Sequence, residues 1–196
     1  MWVWISSIKM KITAVDSAED LFYIEDYFPT ELLDINLHNS LPWEDVPPYP
    51  RQMLHSDQVE ENHAFYMMYK YIHSQDKFFK TFFSTDLYLQ GPRIWYDQPD
   101  FHMEGSHIDG DWAEGIVCPN GAMQIYLSEG KGQPGTTFYH PDRSSIRYEI
   151  PYKMNCGYLM RNHLKQWHGV EHNTTNEKRL SLYLSFEFIN QRLSTG

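Results

Sequence analysis

The first 85 residues carry the hydrophobic spacing of helices. Phe65, Met68, Tyr69 and Ile72 recur at every third or fourth position, which places them on one face of a helix. We therefore expect a long helix over 57–83 whose apolar face lies on a sheet.

A shorter helix is expected over 29–41, because a proline and a threonine stand directly before Glu31 and two leucines, an arrangement that suits a helix start. The segment 42–53 contains four prolines and is expected to be an ordered connection without regular structure. Together these elements make the first part of the chain mainly helical.

After residue 85 the pattern is that of β-strands. Seven short runs are rich in aromatic and β-branched residues and are separated by glycine, proline or asparagine turns. So many short strands at close spacing predict a sandwich or a jelly roll rather than βαβ units. The runs are 92–98, 122–130, 135–140, 144–150, 156–162, 165–170 and 179–188.

The domain organisation follows from these two regions. The 196 residues contain no internal repeat, low-complexity tract or linker, and this length suits one domain with its own core. We predict a single α+β domain over 1–196, with a helical support region over 1–85 and a jelly-roll core over 86–190.

Charge and cysteine content restrict the classes of partner. The formal net charge is −10, without a cluster of Lys and Arg, which argues against duplex nucleic acid and anionic membranes as partners. Cys118 and Cys156 lack a C-x-x-C spacing, which fits a reducing compartment. Residues 1–12 are too few and too polar for a membrane span. We predict a cytoplasmic protein with a small-molecule or peptide substrate.

The stretch GSHIDGDWAEG, residues 105–115, contains the first candidate for chemistry. His107 and Asp109 stand two positions apart, so in a strand both side chains point to the same side. With His168 from a later strand they make two histidines and one carboxylate, the facial triad of non-haem Fe(II) sites. With ten histidines in the chain, an ordinary polar loop is the alternative interpretation.

The last strand adds a candidate receptor for a carboxylate. Arg179 and Ser181 stand two positions apart, and a guanidinium beside a hydroxyl offers three donors to two carboxylate oxygens. Tyr183 and Ser185 share their face, while three leucines and a phenylalanine take the other. In a lone strand the polar face would meet water. In a jelly roll flanked by helices, the apolar face packs on the helices and the polar face lines the cavity.

The order of these motifs resembles the iron(II) and 2-oxoglutarate-dependent dioxygenases with a double-stranded β-helix core. H-x-D is followed by a YL…G-x-T-x-F type segment and then by WHGV…R-x-S, over residues 88–188. The resemblance implies a double-stranded β-helix with the N-terminal helices packed on the outer face of one sheet. It also implies an enzyme that hydroxylates its substrate with O₂ and releases succinate and CO₂.

The resemblance also assigns residues to the site. It implies that the H-x-D pair and His168 bind Fe(II) and that Arg179 with Ser181 binds the distal carboxylate of 2-oxoglutarate. Tyr126 and Thr137 occupy positions from which members of the family contact this cosubstrate. The full set is His107, Asp109 and His168 for the metal, and Arg179, Ser181, Thr137 and Tyr126 for the cosubstrate.

The chain departs from the prolyl-hydroxylase pattern at one position. A lysine commonly stands ten residues after the distal histidine, and Lys178 has that spacing here. Neighbours in a strand face opposite ways, and Ser181 shares the face of Arg179, so we assign the carboxylate to Arg179. His102, His163 and His172 are rival histidines, of which the last two flank the distal position. The predicted walls of the substrate pocket are Trp95, Tyr96 and Trp112, with Phe101 beside them.

Two other interpretations remain open. A cupin-like metal enzyme would use the same three ligands without 2-oxoglutarate, which leaves Arg179 and Ser181 unexplained. A jelly-roll binding module would be no enzyme at all, and His107 with Asp109 would only close a loop.

The metal assignment makes a prediction for three variants. His107→Ala, Asp109→Ala and His168→Ala should each abolish stoichiometric Mn(II) or Fe(II) binding, because an open site cannot lose one of three ligands. Each variant should remain folded, as circular dichroism would show. Normal metal binding by the His168→Ala protein would move the distal role to His163 or His172.

Overall fold

Two antiparallel sheets and two helices make up the computed structural model, which describes residues 10–15, 21–35, 41–61, 63–99, 101, 107, 121–130, 132–161, 166–170 and 176–189. The helices are α1 (Ala64–Ser74) and α2 (Asp76–Phe83). The strands are β1 (Lys11–Ala14), β2 (Leu21–Glu25), β3 (Glu44–Asp45), β4 (Arg51–His55), β5 (Leu87–Leu89), β6 (Arg93–Asp97), β7 (Gly121–Tyr126), β8 (Thr136–Tyr139), β9 (Ile146–Ile150), β10 (Gly157–Arg161), β11 (His168–Gly169) and β12 (Arg179–Phe188).

The strands divide between a large and a small sheet. The large sheet has the order β1-β2-β10-β7-β12-β6-β4-β3, with β5 paired to the far part of β12. The small sheet has the order β11-β8-β9. Strand β12, the longest, lies at the centre of the large sheet between β7 and β6, so its residues are fixed from both sides.

The sequence pattern after residue 85 is confirmed, since each of the seven predicted runs contains a strand. The region before residue 86 differs from the mainly helical prediction, because it also contributes β1 to β4. The proline-rich segment 42–53 is not irregular: Glu44 and Asp45 pair with Met53 and Gln52 in a short hairpin. Pro47, Pro48 and Pro50 lie in the turn between the two strands, where no ladder hydrogen bond is needed.

The helix boundaries also differ from those predicted. Over 29–41 the described part has one 3₁₀ turn, Thr30–Leu32, and no α-helix. The predicted helix over 57–83 starts only at Ala64, where Nδ1 of His63 accepts a hydrogen bond from the amide of Phe65 at 3.1 Å. It is interrupted at Gln75, whose amide closes a tight turn onto Ile72. The helical spacing alone does not reveal this break.

One hydrophobic cluster lies between the helices and the large sheet. It contains Phe65, Met68 and Ile72 of α1 together with the leucines of β12. The ring of Phe186 at the end of β12 lies 4.8 Å from Phe79 of α2. The apolar face of β12 therefore packs on the helices.

A second hydrophobic cluster lies between the two sheets. Ala122 and Tyr126 of β7, Tyr158 of β10 and Phe138 of β8 belong to it. The polar face of β12 points toward this cluster, since successive side chains of a strand alternate between faces. Arg179 and Ser181 thus lie between the sheets, both at 2% exposure or less.

Cys156 is buried and not in a disulfide, whereas Cys118 lies outside the described residues. Within the described ranges no helix combines the length and the apolar character needed to cross a bilayer.

The packing of β12 on α2 predicts that a substitution on this outer face lowers the free energy of unfolding without changing the residues between the two sheets. Phe186→Ala should lower the free energy of unfolding by about 3–5 kcal/mol, because it empties a site between the sheet and α2. Tyr88→Ala, at a side chain that is 63% exposed, should change it by less than about 0.5 kcal/mol. Denaturant unfolding measures both. Equal losses would contradict the packing described.

Candidate metal and cosubstrate site

Two of the predicted metal ligands lie beside each other. His107 and His168 form an isolated antiparallel bridge in which each amide donates to the other residue's carbonyl oxygen at 2.8 Å. Their ring centroids are 4.4 Å apart. The bridge adds the chain at His107 to the edge of the small sheet, next to β11, and so brings together two histidines that are 61 positions apart in sequence.

The surroundings of His168 fix its ring and its tautomer. The side chain is 4% exposed and stacks on Phe138 at 5.4 Å. Its Nδ1 lies 3.0 Å from the carbonyl oxygen of Gln166, and because a carbonyl can only accept, Nδ1 must carry the hydrogen. The lone pair is then on Nε2, which is the form in which an imidazole binds a metal.

Arg179 is a buried cation that has no carboxylate partner within the described ranges. It is 1% exposed, and its Nε and Nη1 atoms make no hydrogen bond to any residue in the described part of the chain. Its Cζ lies 5.0 Å from the ring centroid of Tyr152 and 5.9 Å from that of Tyr126. Since a buried guanidinium is costly unless it is paired, this arrangement is suited to an anionic ligand.

Four polar side chains form a chain of hydrogen bonds beside Arg179. Gln124 donates through Nε2 to Oγ of Ser181 at 2.9 Å, and Thr136 donates to Oε1 of Gln124 at 3.3 Å. The hydroxyls of Thr136 and Tyr126 are 2.8 Å apart. All four side chains are buried, so this chain is shielded from water.

The amide of Gln124 sets the direction of these hydrogen bonds. Because the Thr136 hydroxyl gives its hydrogen to Gln124, it must accept from Tyr126. Because Ser181 accepts from Gln124, its own hydrogen remains for a ligand. Burial raises the pKa of Tyr126 to about 12, although Arg179 and Thr136 act against this, so the phenol stays neutral at physiological pH and keeps the hydrogen that it donates.

Tyr152 anchors the start of β12. Its hydroxyl accepts from the amide of Leu180 at 3.0 Å and lies 3.2 Å from the carbonyl oxygen of the same residue. Ser128 contacts this hydroxyl at 2.6 Å. Burial raises the pKa of Tyr152 as well. These bonds hold the backbone next to Arg179 and thereby fix where its side chain begins.

Thr137, the threonine of the predicted cosubstrate set, and its neighbour Thr136 lie on opposite faces of β8. Thr136, which the motif assignment passed over, reaches Tyr126 and Gln124, and strand alternation places Thr137 on the opposite face of β8. Phe138 shares the face of Thr136 and belongs to the inner cluster. The spacing T-x-F, which runs from Thr136 to Phe138, was the signal in the sequence that could have identified this residue. Gln124 had no comparable signal.

The structure also separates the two aromatic neighbours Trp95 and Tyr96. Trp95 is in register with Ser181 and shares its face. Tyr96 lies on the outer face, where its ring is 5.4 Å from that of Trp43, because adjacent residues alternate. Lys178 is exposed and its Nζ lies 4.8 Å from the ring centroid of Tyr96. The inward cation of the adjacent pair is therefore Arg179.

Several predicted residues lie outside the described ranges. Among the described residues no three His, Cys, Asp or Glu side chains come together, and the third predicted ligand is not one of those residues. Those outside the described ranges are Asp109, Trp112, His102, His163 and His172.

Comparison with solved structures finds proteins that share this fold at low sequence identity. A 2OG-Fe(II) oxygenase family oxidoreductase from Burkholderia pseudomallei aligns with a TM-score of 0.57 and 16% identity, over 76% of this chain and 72% of that chain. HygX from Streptomyces hygroscopicus with nickel and 2-oxoglutarate bound aligns at 0.61 and 11%, over 87% and 84%. A Pseudomonas putida prolyl-4-hydroxylase aligns at 0.59 and 13%, over 90% and 97%.

The chain has the fold of the 2OG-Fe(II) oxygenases. The resemblance drawn from the sequence motifs is thereby confirmed at the level of the fold. No family model matches the sequence, and no curated protein does either. The matched regions cover 76%, 87% and 90% of this chain in these three comparisons.

Proposed function

We propose that this protein is a non-haem iron(II), 2-oxoglutarate-dependent oxygenase that hydroxylates a substrate with release of succinate and CO₂. The observation that carries the proposal is Arg179, a fully buried cation without a carboxylate partner among the described residues. It lies between the same two sheets as the His107 and His168 pair. A metal ligand pair and a carboxylate receptor in one cavity are what such an enzyme requires.

The order of strands supports a double-stranded β-helix. From β6 onward the chain passes repeatedly from one sheet to the other: β6, β7, β10 and β12 are in the large sheet, and His107, β8, β9 and β11 are in the small one. The helices pack on the outer face of the large sheet. This leaves the space between the sheets for a ligand.

The residues present fit the metal that this class uses. We assign Fe(II) to His107, Asp109 and His168, of which the first two stand in the H-x-D spacing and the third presents Nε2. When bound, Fe(II) supplies the redox chemistry that couples oxidation of 2-oxoglutarate by O₂ to oxidation of the substrate. The hydrogen bond from Nδ1 of His168 to Gln166 keeps the imidazole in its ligating orientation.

The distal carboxylate of 2-oxoglutarate is assigned to Arg179 and Ser181. Arg179 offers the N–H groups of Nε and Nη1, which have no partner among the described residues, and Ser181 offers the hydroxyl hydrogen that it does not use toward Gln124. Tyr126 stays neutral and adds no negative charge beside the ligand. We include Tyr126 for its ring, which lies beside the guanidinium, and Thr136 as its hydrogen-bond partner. Thr137 stays a prediction.

The aromatic rings around His168 exclude water from the proposed metal site. Phe138 stacks on the imidazole, and Tyr158 lies 6.5 Å from it. A dry pocket confines the oxidant to the substrate. The substrate itself is a peptidyl side chain, an amino acid or a small metabolite, and Trp95 is the inward-facing candidate for its wall.

Two alternatives make different predictions about ligands. A cupin-like metal enzyme would bind metal but not 2-oxoglutarate, and a jelly-roll binding module would bind neither. Metal content after purification without chelator separates the module from the enzymes. Saturable binding of 2-oxoglutarate separates the oxygenase from the cupin-like enzyme.

The cosubstrate assignment predicts contrasting effects of two adjacent substitutions. Arg179→Ala should weaken 2-oxoglutarate binding to the Mn(II) protein by about 2–4 kcal/mol, since it removes one partner of a desolvated charge pair. Metal affinity should not change. Lys178→Ala is the matched control, because it removes an exposed cation next to Arg179. This substitution should have little effect on 2-oxoglutarate binding. Calorimetry measures both affinities. Reversed effects would mean that Lys178, and not Arg179, points into the space between the sheets.

Activity can be tested without knowing the substrate. Protein with Fe(II), air and 2-oxoglutarate should form succinate slowly in an uncoupled reaction, because the cosubstrate can be oxidised alone. Asp109→Ala should lose this activity, since alanine removes the anionic ligand. Succinate is measured by mass spectrometry. Absence of turnover together with absence of anaerobic 2-oxoglutarate binding would overturn the proposal.

A further inference from the structure

Three charged residues lie side by side across neighbouring strands of the large sheet. Arg51 on β4 is in register with Asp97 on β6, and Asp97 is in register with Arg179 on β12. Directly opposed residues of a sheet point to the same face, with Cβ atoms about 4.5–5.5 Å apart. One carboxylate therefore stands between two guanidinium groups.

Asp97 bonds to Arg51. The Nε atom of Arg51 donates to Oδ1 of Asp97 at 2.8 Å, and its Nη2 atom forms an ion pair with the same oxygen at 2.7 Å. Asp97 is 1% exposed, and it is directly opposite Arg179 on β12 just as it is directly opposite Arg51 on β4. Yet no ion pair joins these two residues in the described structure, and Nε and Nη1 of Arg179 remain without a partner there. The carboxylate of Asp97 is thus paired with Arg51 and not with Arg179.

Two aromatic rings fix the arginine that holds it. The Cζ atom of Arg51 lies 4.2 Å from the ring centroid of Trp95 and 4.1 Å from that of Phe101. A guanidinium between two rings is attracted to both faces and keeps its plane. The side chain is only 13% exposed, so water and salt screen its ion pair weakly. Arg51 therefore presents its donors to Asp97 in one fixed orientation.

Without Arg51, the nearest cation to Asp97 across the sheet would be Arg179. A buried carboxylate without a partner is strongly disfavoured, so Asp97 would pair with Arg179 instead. An anionic ligand would then have to displace it and would bind more weakly. With Arg51 in place, the row carries one uncompensated positive charge, which matches a single carboxylate group of a ligand.

We propose that Arg51 is a positioning residue for the cosubstrate: it holds Asp97 and so keeps Arg179 available to the distal carboxylate of 2-oxoglutarate. The inference rests on the proposed function, because it takes 2-oxoglutarate as the ligand of Arg179. Arg51 itself does not touch the cosubstrate. It acts by removing an intramolecular competitor.

A double-mutant cycle on the full chain with Mn(II) tests this role. Arg51→Met keeps an unbranched side chain between the rings, and Asp97→Asn removes the competing charge. Calorimetry should show that Arg51→Met weakens 2-oxoglutarate binding about tenfold or more. In the Asp97→Asn background the same substitution should change it by less than about twofold. An equal effect in both backgrounds, no effect included, overturns the proposal.

Oxalate provides the matched ligand control. It has the two neighbouring carboxylate groups that chelate a metal, but no distal carboxylate for Arg179. Arg51→Met should therefore bind oxalate with wild-type affinity. A loss of oxalate affinity equal to the loss for 2-oxoglutarate would mean general damage to the site and would overturn the proposal.

A conservative variant keeps the test decisive if the methionine variant does not fold. Arg51→Lys retains the charge but loses one of the two contacts with Asp97, so it should weaken 2-oxoglutarate binding, and Asp97→Asn should remove that loss. A loss that persists with asparagine overturns the proposal. If the wild-type protein binds no 2-oxoglutarate, or binds it without Arg179, the proposed function fails first. If 2-oxoglutarate binding depends on Arg179 but the effects of Arg51→Met and Asp97→Asn are additive, only the proposed role of Arg51 is overturned.

Discussion

The burial of the Arg179 guanidinium is the constraint on which the inner face of the structure depends. An arginine keeps its charge at physiological pH, and a lone charge between two sheets is strongly disfavoured unless an anion joins it. In the part of the chain that the structure describes, the neighbouring side chains are neutral or already paired. Tyr126 and Tyr152 keep their protons because burial raises the pKa of each, and Asp97 is bonded to Arg51. The space between the sheets therefore contains a positive charge that an anionic ligand would neutralise.

The fold explains how this charge and the two histidines come together. β12 lies at the centre of the large sheet, and its alternation gives the leucines to the helices and the polar residues to the space between the sheets. His107 and His168 belong to the small sheet, which covers that space. Neither sheet alone makes a site. The pairing of strands that are distant in sequence, held by the two hydrophobic clusters, is what assembles it.

Much of this could be predicted from the sequence because strand alternation has a fixed period. The i, i+2 rule placed Arg179 and Ser181 on one face of β12 and set Lys178 aside, and the seven aromatic-rich runs are all strands. The same rule places Thr136 on the face of Phe138, which belongs to the inner cluster.

Other features depended on contacts that no local pattern contains. The break at Gln75 arises from a tight turn inside a continuous helical spacing, and the hairpin of β3 and β4 forms because β6 offers an edge to pair with. Gln124 matters through hydrogen bonds to side chains on two other strands. Such roles follow from register across the sheets, which the sequence does not specify at a single position.

The central claim is that Arg179 receives a carboxylate of a ligand that also binds the metal held by His107 and His168. A crystal structure of the protein with Mn(II) and 2-oxoglutarate, with the metal located by its anomalous signal, tests this most directly. The account predicts the metal at the two histidines and Asp109, with N–H groups of Arg179 about 2.7–2.9 Å from the distal carboxylate oxygens. A metal bound elsewhere, or Arg179 paired with Asp97 and no ligand between the sheets, would contradict it.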